Sequence, residues 1–295
     1  MTEAPVVVGY NGKRPSTEAL DWAAREARRR GAPLLVLYAA NYPGMTLDPG
    51  PGLLHPEPGA LEAAEEVTAE GVASALVADP ALKVSGATEV TSPAQALTEA
   101  STDAGLLVIG TRGHGTVLRT LLGSVAFEVA AMAECPVIVV KSTAEDPAGR
   151  AAGRVVVGTD GSQEAGRAVL FAADRAASAW AAGSLKVLTC TGEAVRSGIS
   201  QDRLRSTAEQ IADDARQALR RTHPRLAVST EVQECPPERA LVDASAEADL
   251  VVVGTRGRGA FRGMLLGSVS HAVIHGAECP VGIVGAPSPG ADADG

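Results

Sequence analysis

Two glycine-rich runs are the residues of this chain best suited to chemistry. One comprises Gly110, Thr111, Arg112, Gly113, His114 and Gly115; the other comprises Gly254, Thr255, Arg256, Gly257, Arg258 and Gly259. Each is followed by a Gly-Ser pair, Gly123-Ser124 in the first case and Gly267-Ser268, then Val269, in the second. Glycines let a backbone approach a ligand closely and turn successive N–H groups inward as an anion nest. A helix starting at the Gly-Ser pair would add the positive end of its dipole and unpaired N–H donors. Phosphate is the ligand such a loop suits. Either Gly-Ser pair alone reads equally well as a loop end with a serine helix cap. From Gly110 to Gly254 is 144 residues, about one ordinary domain length, and the recurrence of the whole spacing favours a polyphosphate site in each copy. Arg112 and Arg256 can pair with phosphate or stand as solvated loop arginines. At the next differing position Arg258 stays cationic, whereas His114 is mostly neutral at pH 7, so the second copy should hold anions better.

A second pair of turns has the same duplicated character: Gly9-Tyr10-Asn11-Gly12 and Gly158-Thr159-Asp160-Gly161. The Asp160 carboxylate can accept ribose hydroxyls or help hold a divalent ion, and neutral Asn11 is poorer at both. The alternative for each is an Asx-turn or cap ahead of a helix.

The elements that must position these residues are legible as alternating runs. In the first half PVVVGY, PLLVLYA, KVSGATEV, GLLVIG and PVIVV read as strands. Ala-rich segments from about Ser16 to Arg30, Leu61 to Ala78, Pro93 to Thr102 and Ser124 to Ala133 read as the intervening helices. RVVVG, LKVLTC, LAVSTEV, DLVVVG and PVGIV repeat the strand order in the second half. Near-continuous apolar strands imply a parallel sheet covered on both faces, a doubly wound α/β arrangement with five strands per half. In such a sheet ligands sit beyond the carboxyl ends of the strands, where both glycine loops fall. The polar stretch 142–153 reads as a linker, which sets domains at 1–147 and 148–295 with a disordered tail from about residue 286. The Pro/Gly-rich run 41–59 reads as a surface insertion ahead of a lid.

Composition narrows the partners. A chain of 295 residues with 45% hydrophobic content can fill two cores. A net charge of −9 argues against a nucleic-acid backbone as partner. Cys135, Cys190, Cys235 and Cys279 are scattered without a CxxC pair, which fits buried thiols in a reducing compartment. No apolar run suits a membrane span, and the opening MTEAPVVVGYNG does not read as a signal peptide, so a soluble cytoplasmic protein is expected.

The spacing Gly, two residues, Gly, nine residues, Gly-Ser resembles the ATP-binding pattern of the universal stress protein family, and both copies match it. VVVGTDGS, CPVIVV and CPVGIV extend the resemblance over nearly the whole chain outside linker and tail. It implies two tandem doubly wound, Rossmann-like domains with ATP held by the loops, an accompanying Mg²⁺ being left open. Adenine and ribose are implied near Gly9 and Ala39 in the first half, and near Gly158, Asp160 and Cys190 in the second. Phosphates are implied on the glycine runs and Gly-Ser pairs. The first half departs from the family's Asp-Gly-Ser at Asn11-Gly12-Lys13. The resemblance also implies pairing of the domains through PVIVV and PVGIV as a pseudo-dimer within one chain, with a homodimer of chains and a regulatory protein partner as further expectations.

The leading functional expectation is a regulatory ATP binder that is not an enzyme, because no GxxxxGK[ST] loop supplies a phosphate-gripping lysine. The alternatives are a scaffold whose loops bind nothing and a nucleotidyl-transferring enzyme. The latter is disfavoured by the lack of HIGH-type and SGGxDS-type motifs and of an assembled nucleophile and base.

Overall fold

The computed structural model describes residues 3–40, 59–111, 123–141, 153–178, 183–192, 200–257 and 266–285. They fall in two compact units, Met1–Ser142 and Thr143–Ala286. Residues 41–58 of the run expected as a surface insertion, residues 142–152 of the expected linker and the tail from 286 lie outside the described residues.

The first unit runs β1 (Val6–Gly9), α1 (Arg14–Arg30), β2 (Leu34–Ala39), α2 (Ala60–Ala78), β3 (Val84–Glu89), α3 (Pro93–Ala100), β4 (Leu106–Gly110), α4 (Ser124–Met132) and β5 (Val137–Val140). Its strands are parallel in the order β3-β2-β1-β4-β5. The second runs β6 (Arg154–Gly158), α5 (Gln163–Ala177), β7 (Ser184–Cys190), α6 (Gln201–Thr222), β8 (Ala227–Gln233), α7 (Pro237–Ser245), β9 (Leu250–Gly254), α8 (Ser268–Gly276) and β10 (Val281–Val284). Its order is β8-β7-β6-β9-β10, again parallel. Each unit is therefore a doubly wound α/β domain. In the first unit α1 packs with α2 and α3 with α4; in the second α5 packs with α6 and α7 with α8.

Burial follows the strand position. Val6, Val7 and Val8 in β1 and Leu106, Leu107 and Val108 in β4 are all at most 1% exposed, the apolar run expected of strands covered on both faces. The edge strand β3 carries Ser85, Thr88 and Glu89 and is half exposed. The helices meet the sheet through alanine: Ala19, Ala23 and Ala27 in α1 and Ala168, Ala172 and Ala176 in α5 are fully buried. Small side chains let helix and sheet approach closely, with Leu20 as the larger anchor in α1. Helix α1 begins at Arg14, two residues ahead of the sequence expectation, because Pro15 fits the first turn, where its missing N–H has no partner to lose.

The strand order places the crevice. From β1 the chain crosses to β2 on one side, while β4 lies on the other, so successive crossovers leave toward opposite faces. This reversal between β1 and β4, and between β6 and β9 in the second unit, opens the loops at the carboxyl ends of those strands.

Candidate functional site

At the reversal point of each unit the glycine that ends one strand touches the first helix. In the first unit a Cβ added to Gly110 would lie 2.6 Å from Pro15 C and closer still to the Pro15 carbonyl oxygen. In the second, a Cβ on Gly254 would lie 3.2 Å from both Ala165 N and Glu164 C. A Cβ would strike the helix backbone in the first unit and only crowd it in the second, so the first turn of α1 or α5 lies against the strand end. The ladder continues one residue past each strand: Thr111 N–H donates to Val140 O and Thr255 N–H to Val284 O, both at 3.0 Å.

Turns after β1 and β6 form the opposite wall. Asp160 Oδ1 accepts the Ser162 N–H at 2.9 Å, and Thr159 Oγ1 accepts the Gly161 N–H at 3.2 Å. Gly161 has φ 75°, a left-handed conformation that suits glycine. Ser162 then caps α5, its Oγ accepting the Ala165 N–H at 3.2 Å. The Asx-turn therefore forms through Asp160 Oδ1. The other carboxylate oxygen, Asp160 Oδ2, faces the glycine loop, where a Cβ on Gly257 would lie 2.5 Å from it. Asp160 and Gly257, 97 positions apart in sequence, are brought together as the two sides of one crevice.

The far side of the second loop is closed by hydrogen bonds that sequence reasoning missed. Gly267 N–H donates to Thr255 O at 2.8 Å, and the buried Ser270 hydroxyl donates to Gly254 O at 2.6 Å. Both ends of the loop are thereby fixed to the strand terminus. The signal was available in the aligned copies, because Ala126 stands where Ser270 stands and has no hydroxyl. Helices α4 and α8 begin at Ser124 and Ser268, with Gly123 and Gly267 as extended N-caps and no side-chain cap bond in either helix. The serines are thus exposed first residues of their helices, not the N-caps that the capping reading required. Each hydroxyl stands among first-turn N–H donors at the positive helix end. Val269 follows, half-buried, and Arg256 is exposed. Arg112, Gly113, His114, Gly115, Arg258 and Gly259 lie outside the described residues.

In the first unit the corresponding turn is occupied internally. Asn11 Oδ1 accepts both the Lys13 N–H at 3.1 Å and the Ser16 hydroxyl at 2.8 Å. Ser16 Oγ in turn accepts the Asn11 N–H at 3.1 Å. The adjoining Tyr10 is buried and points toward α2, its hydroxyl 3.4 Å from Glu70 Oε1; burial, followed by the Glu70 charge, raises its pKa.

Gly9 and Gly158 end β1 and β6 against Leu97 and Leu241. Ala39 and Cys190 end the neighbouring strands, at the rim of the crevice. The cysteines divide into two kinds. Cys135 and Cys279 are buried as expected, but Cys190 and Cys235 are only half-buried. The fold brings Cys235 beside Cys190, and burial with that neighbouring thiol pushes Cys190 up to about 12. Among the described residues no group of three or more His, Cys, Asp or Glu could hold a metal ion, and no helix is long and apolar enough to cross a membrane.

Two doubly wound units, each with a glycine-ended strand at its reversal point and a helix beginning at a Gly-Ser pair, define a class of α/β protein. The model of the universal stress protein family matches residues 4–141 and again 152–285. A universal stress protein of Mycobacterium tuberculosis is 34% identical over 291 residues, covering 94% of this chain and 95% of the relative. One from Mycolicibacterium smegmatis is 31% identical, covering 96% of this chain and 97% of the relative. A universal stress protein structure from Archaeoglobus fulgidus superposes with TM-score 0.72 at 21% identity over 97% of this chain and 99% of that one, which shows the shared fold. The chain belongs to the universal stress protein family, as two family domains in tandem.

Proposed function

We propose that this chain is a regulatory adenine-nucleotide-binding protein that holds ATP in its second unit and turns it over slowly or not at all. The observation that carries this reading is the approach of Gly257 to Asp160 Oδ2, with a built Cβ at 2.5 Å, across a crevice ending on the N-terminus of α8. A carboxylate on one wall suits ribose hydroxyls or an Mg²⁺ carried by the phosphates. The N–H donors and Ser268 hydroxyl on the other suit the phosphates themselves. Ala39 and Cys190 would border adenine and ribose in their units. Arg256, with Arg258, would meet the phosphate chain. Without a phosphate-gripping lysine in a GxxxxGK[ST] loop, the site is suited to binding more than to hydrolysis.

The first unit reads differently. Asn11 is committed to Lys13 N–H and Ser16 Oγ, which favours a structural role for this half and weaker nucleotide retention. Pairing of the units through β5 and β10, a homodimer, a cytoplasmic location and a protein partner that reads the nucleotide state all belong to the same proposal. Calorimetric titration of the full chain with ATP, ADP and GTP, with and without Mg²⁺, tests it alongside a steady-state phosphate-release assay. The expected result is adenine-selective binding with negligible multiple turnover. Rapid turnover abolished by Gly257→Val would establish an enzyme instead, and binding of none of the three would leave the scaffold reading.

A further inference from the structure

Cys190 is the last residue of β7, and its Cα stands opposite Gln233, the last residue of β8. The pairing runs one residue further, Thr191 N–H donating to Gln233 O at 3.1 Å. The chain then bends at Glu234, and the Cys235 thiol returns to donate to Gln233 Oε1 at 3.4 Å. This bend holds the Cys235 thiol against the residue that faces Cys190, and after burial it is the neighbouring Cys235 that raises the Cys190 pKa. The register seats Cys190 opposite Gln233, whose side chain accepts from the Cys235 thiol, so both thiols lie at the same end of one strand pair.

We propose that Cys190 and Cys235 are a redox modification site, closing to a reversible disulfide under hydrogen peroxide and thereby reshaping the rim of the second crevice. Its effect on ligand binding rests on the nucleotide reading above; the disulfide itself does not. In the first unit the register Ala39 to Glu89 matches Cys190 to Gln233, so Ala39 and Thr91 occupy the thiol positions. The pair is therefore particular to the second unit. Cys135 and Cys279 behave otherwise: each precedes a proline at the start of a buried strand, one in each unit, as packing residues do.

The chemistry balances with peroxide as the oxidant. One peroxide oxygen passes to Cys235 Sγ, giving a sulfenic acid and releasing water. Cys190 Sγ then attacks that sulfur, the S–O bond breaks, and the leaving hydroxide takes up the Cys190 proton as a second water. Two thiols and one peroxide become one disulfide and two waters. Burial raises the Cys190 pKa, which slows its own reaction with peroxide and leaves the first oxidation to Cys235. The new bond ties the bend at Glu234 to the end of β7, beside the position proposed for adenine and ribose.

Peptide mapping of the reduced full-length chain after stoichiometric peroxide and alkylation under denaturing conditions tests the site. The expected product is a linked pair of peptides carrying Cys190 and Cys235, reversed by dithiothreitol, with Cys135 and Cys279 still alkylated. Cys235→Ser should leave Cys190 a thiol. Cys235 advancing to sulfinic or sulfonic acid beside a reduced Cys190 would overturn the proposal. Amide exchange over residues 190–192 and 233–235 reads the reshaped rim without any ligand, and unchanged exchange in the linked protein would overturn that part. ATP retention should fall several-fold on oxidation of the native chain but not of Cys235→Ser. Linkage in a chain that never retains nucleotide would refute the nucleotide reading and leave the disulfide standing.

Discussion

Replacing Gly110 by alanine should destabilise the chain far more than the matched replacement of Gly254. A Cβ at Gly110 meets the backbone of Pro15, with the carbonyl carbon at 2.6 Å and the oxygen nearer. Relief requires the first turn of α1 to move by most of an ångström against Ala19, Leu20 and Ala23, which are fully buried. Overpacking of that kind costs about 3 kcal/mol. At Gly254 the nearest atoms, Arg256 O, Ala165 N and Glu164 C, stand at 3.1 to 3.2 Å, so a few tenths of an ångström suffice, at about 1 kcal/mol. Alanine also restricts the unfolded chain, which offsets about 0.5–1 kcal/mol in both variants. The net expectation is a loss of about 2 kcal/mol for Gly110→Ala and near neutrality for Gly254→Ala. For a unit of this size the first corresponds to a Tm drop of roughly 6–8 °C. Scanning calorimetry of the full chain, supported by urea titration, measures both. A Gly254→Ala chain as destabilised as Gly110→Ala would refute the reasoning, because it would mean that the helix–strand approach is equally tight in both units.

Other perturbations separate binding from stability. Gly257→Ala should leave Tm nearly unchanged but lower ATP affinity about tenfold, since Asp160 Oδ2 must swing out of the position proposed to meet the ligand to make room for the Cβ; titration calorimetry reads it. Ser270→Ala should cost about 1 kcal/mol in urea unfolding and loosen the loop, raising the ATP dissociation rate, as a lost buried hydrogen bond does. His271 has its pKa lowered from 6.5, by burial first and then by His275, so it binds protons more readily when unfolded. It therefore supports folding above its ordinary value and loses that contribution as pH falls through its lowered folded value. A His271→Gln chain should show a flatter decline of Tm on acidification over that window.

The doubly wound topology was legible because apolar strand runs and Ala-rich helices alternate in sequence, and each signal is local. The glycine spacing likewise marked the loop ends, and Gly110, Gly254 and Gly257 do make close approaches. Long-range contacts were hidden. Nothing local to Asp160 announces that Gly257 packs on its second carboxylate oxygen. Ser270 reads as an ordinary helix residue until the strand end comes within reach of its hydroxyl. The four cysteines looked equivalent as scattered residues, whereas strand register buries Cys135 and Cys279 and sets Cys190 beside Cys235. Serine as a helix cap was the misleading local preference: glycine took the extended cap position and moved each serine into the first turn.

The central claim is that the second unit retains ATP and the first retains less. Its most direct test is to denature the purified full-length chain after loading with ATP and Mg²⁺, then identify and count the released nucleotide by chromatography and mass spectrometry. Native protein, Gly113→Val and Gly257→Val are compared. The account predicts an adenine nucleotide that survives Gly113→Val and is largely lost with Gly257→Val. No released nucleotide from the native chain, or equal losses from the two variants, would contradict it.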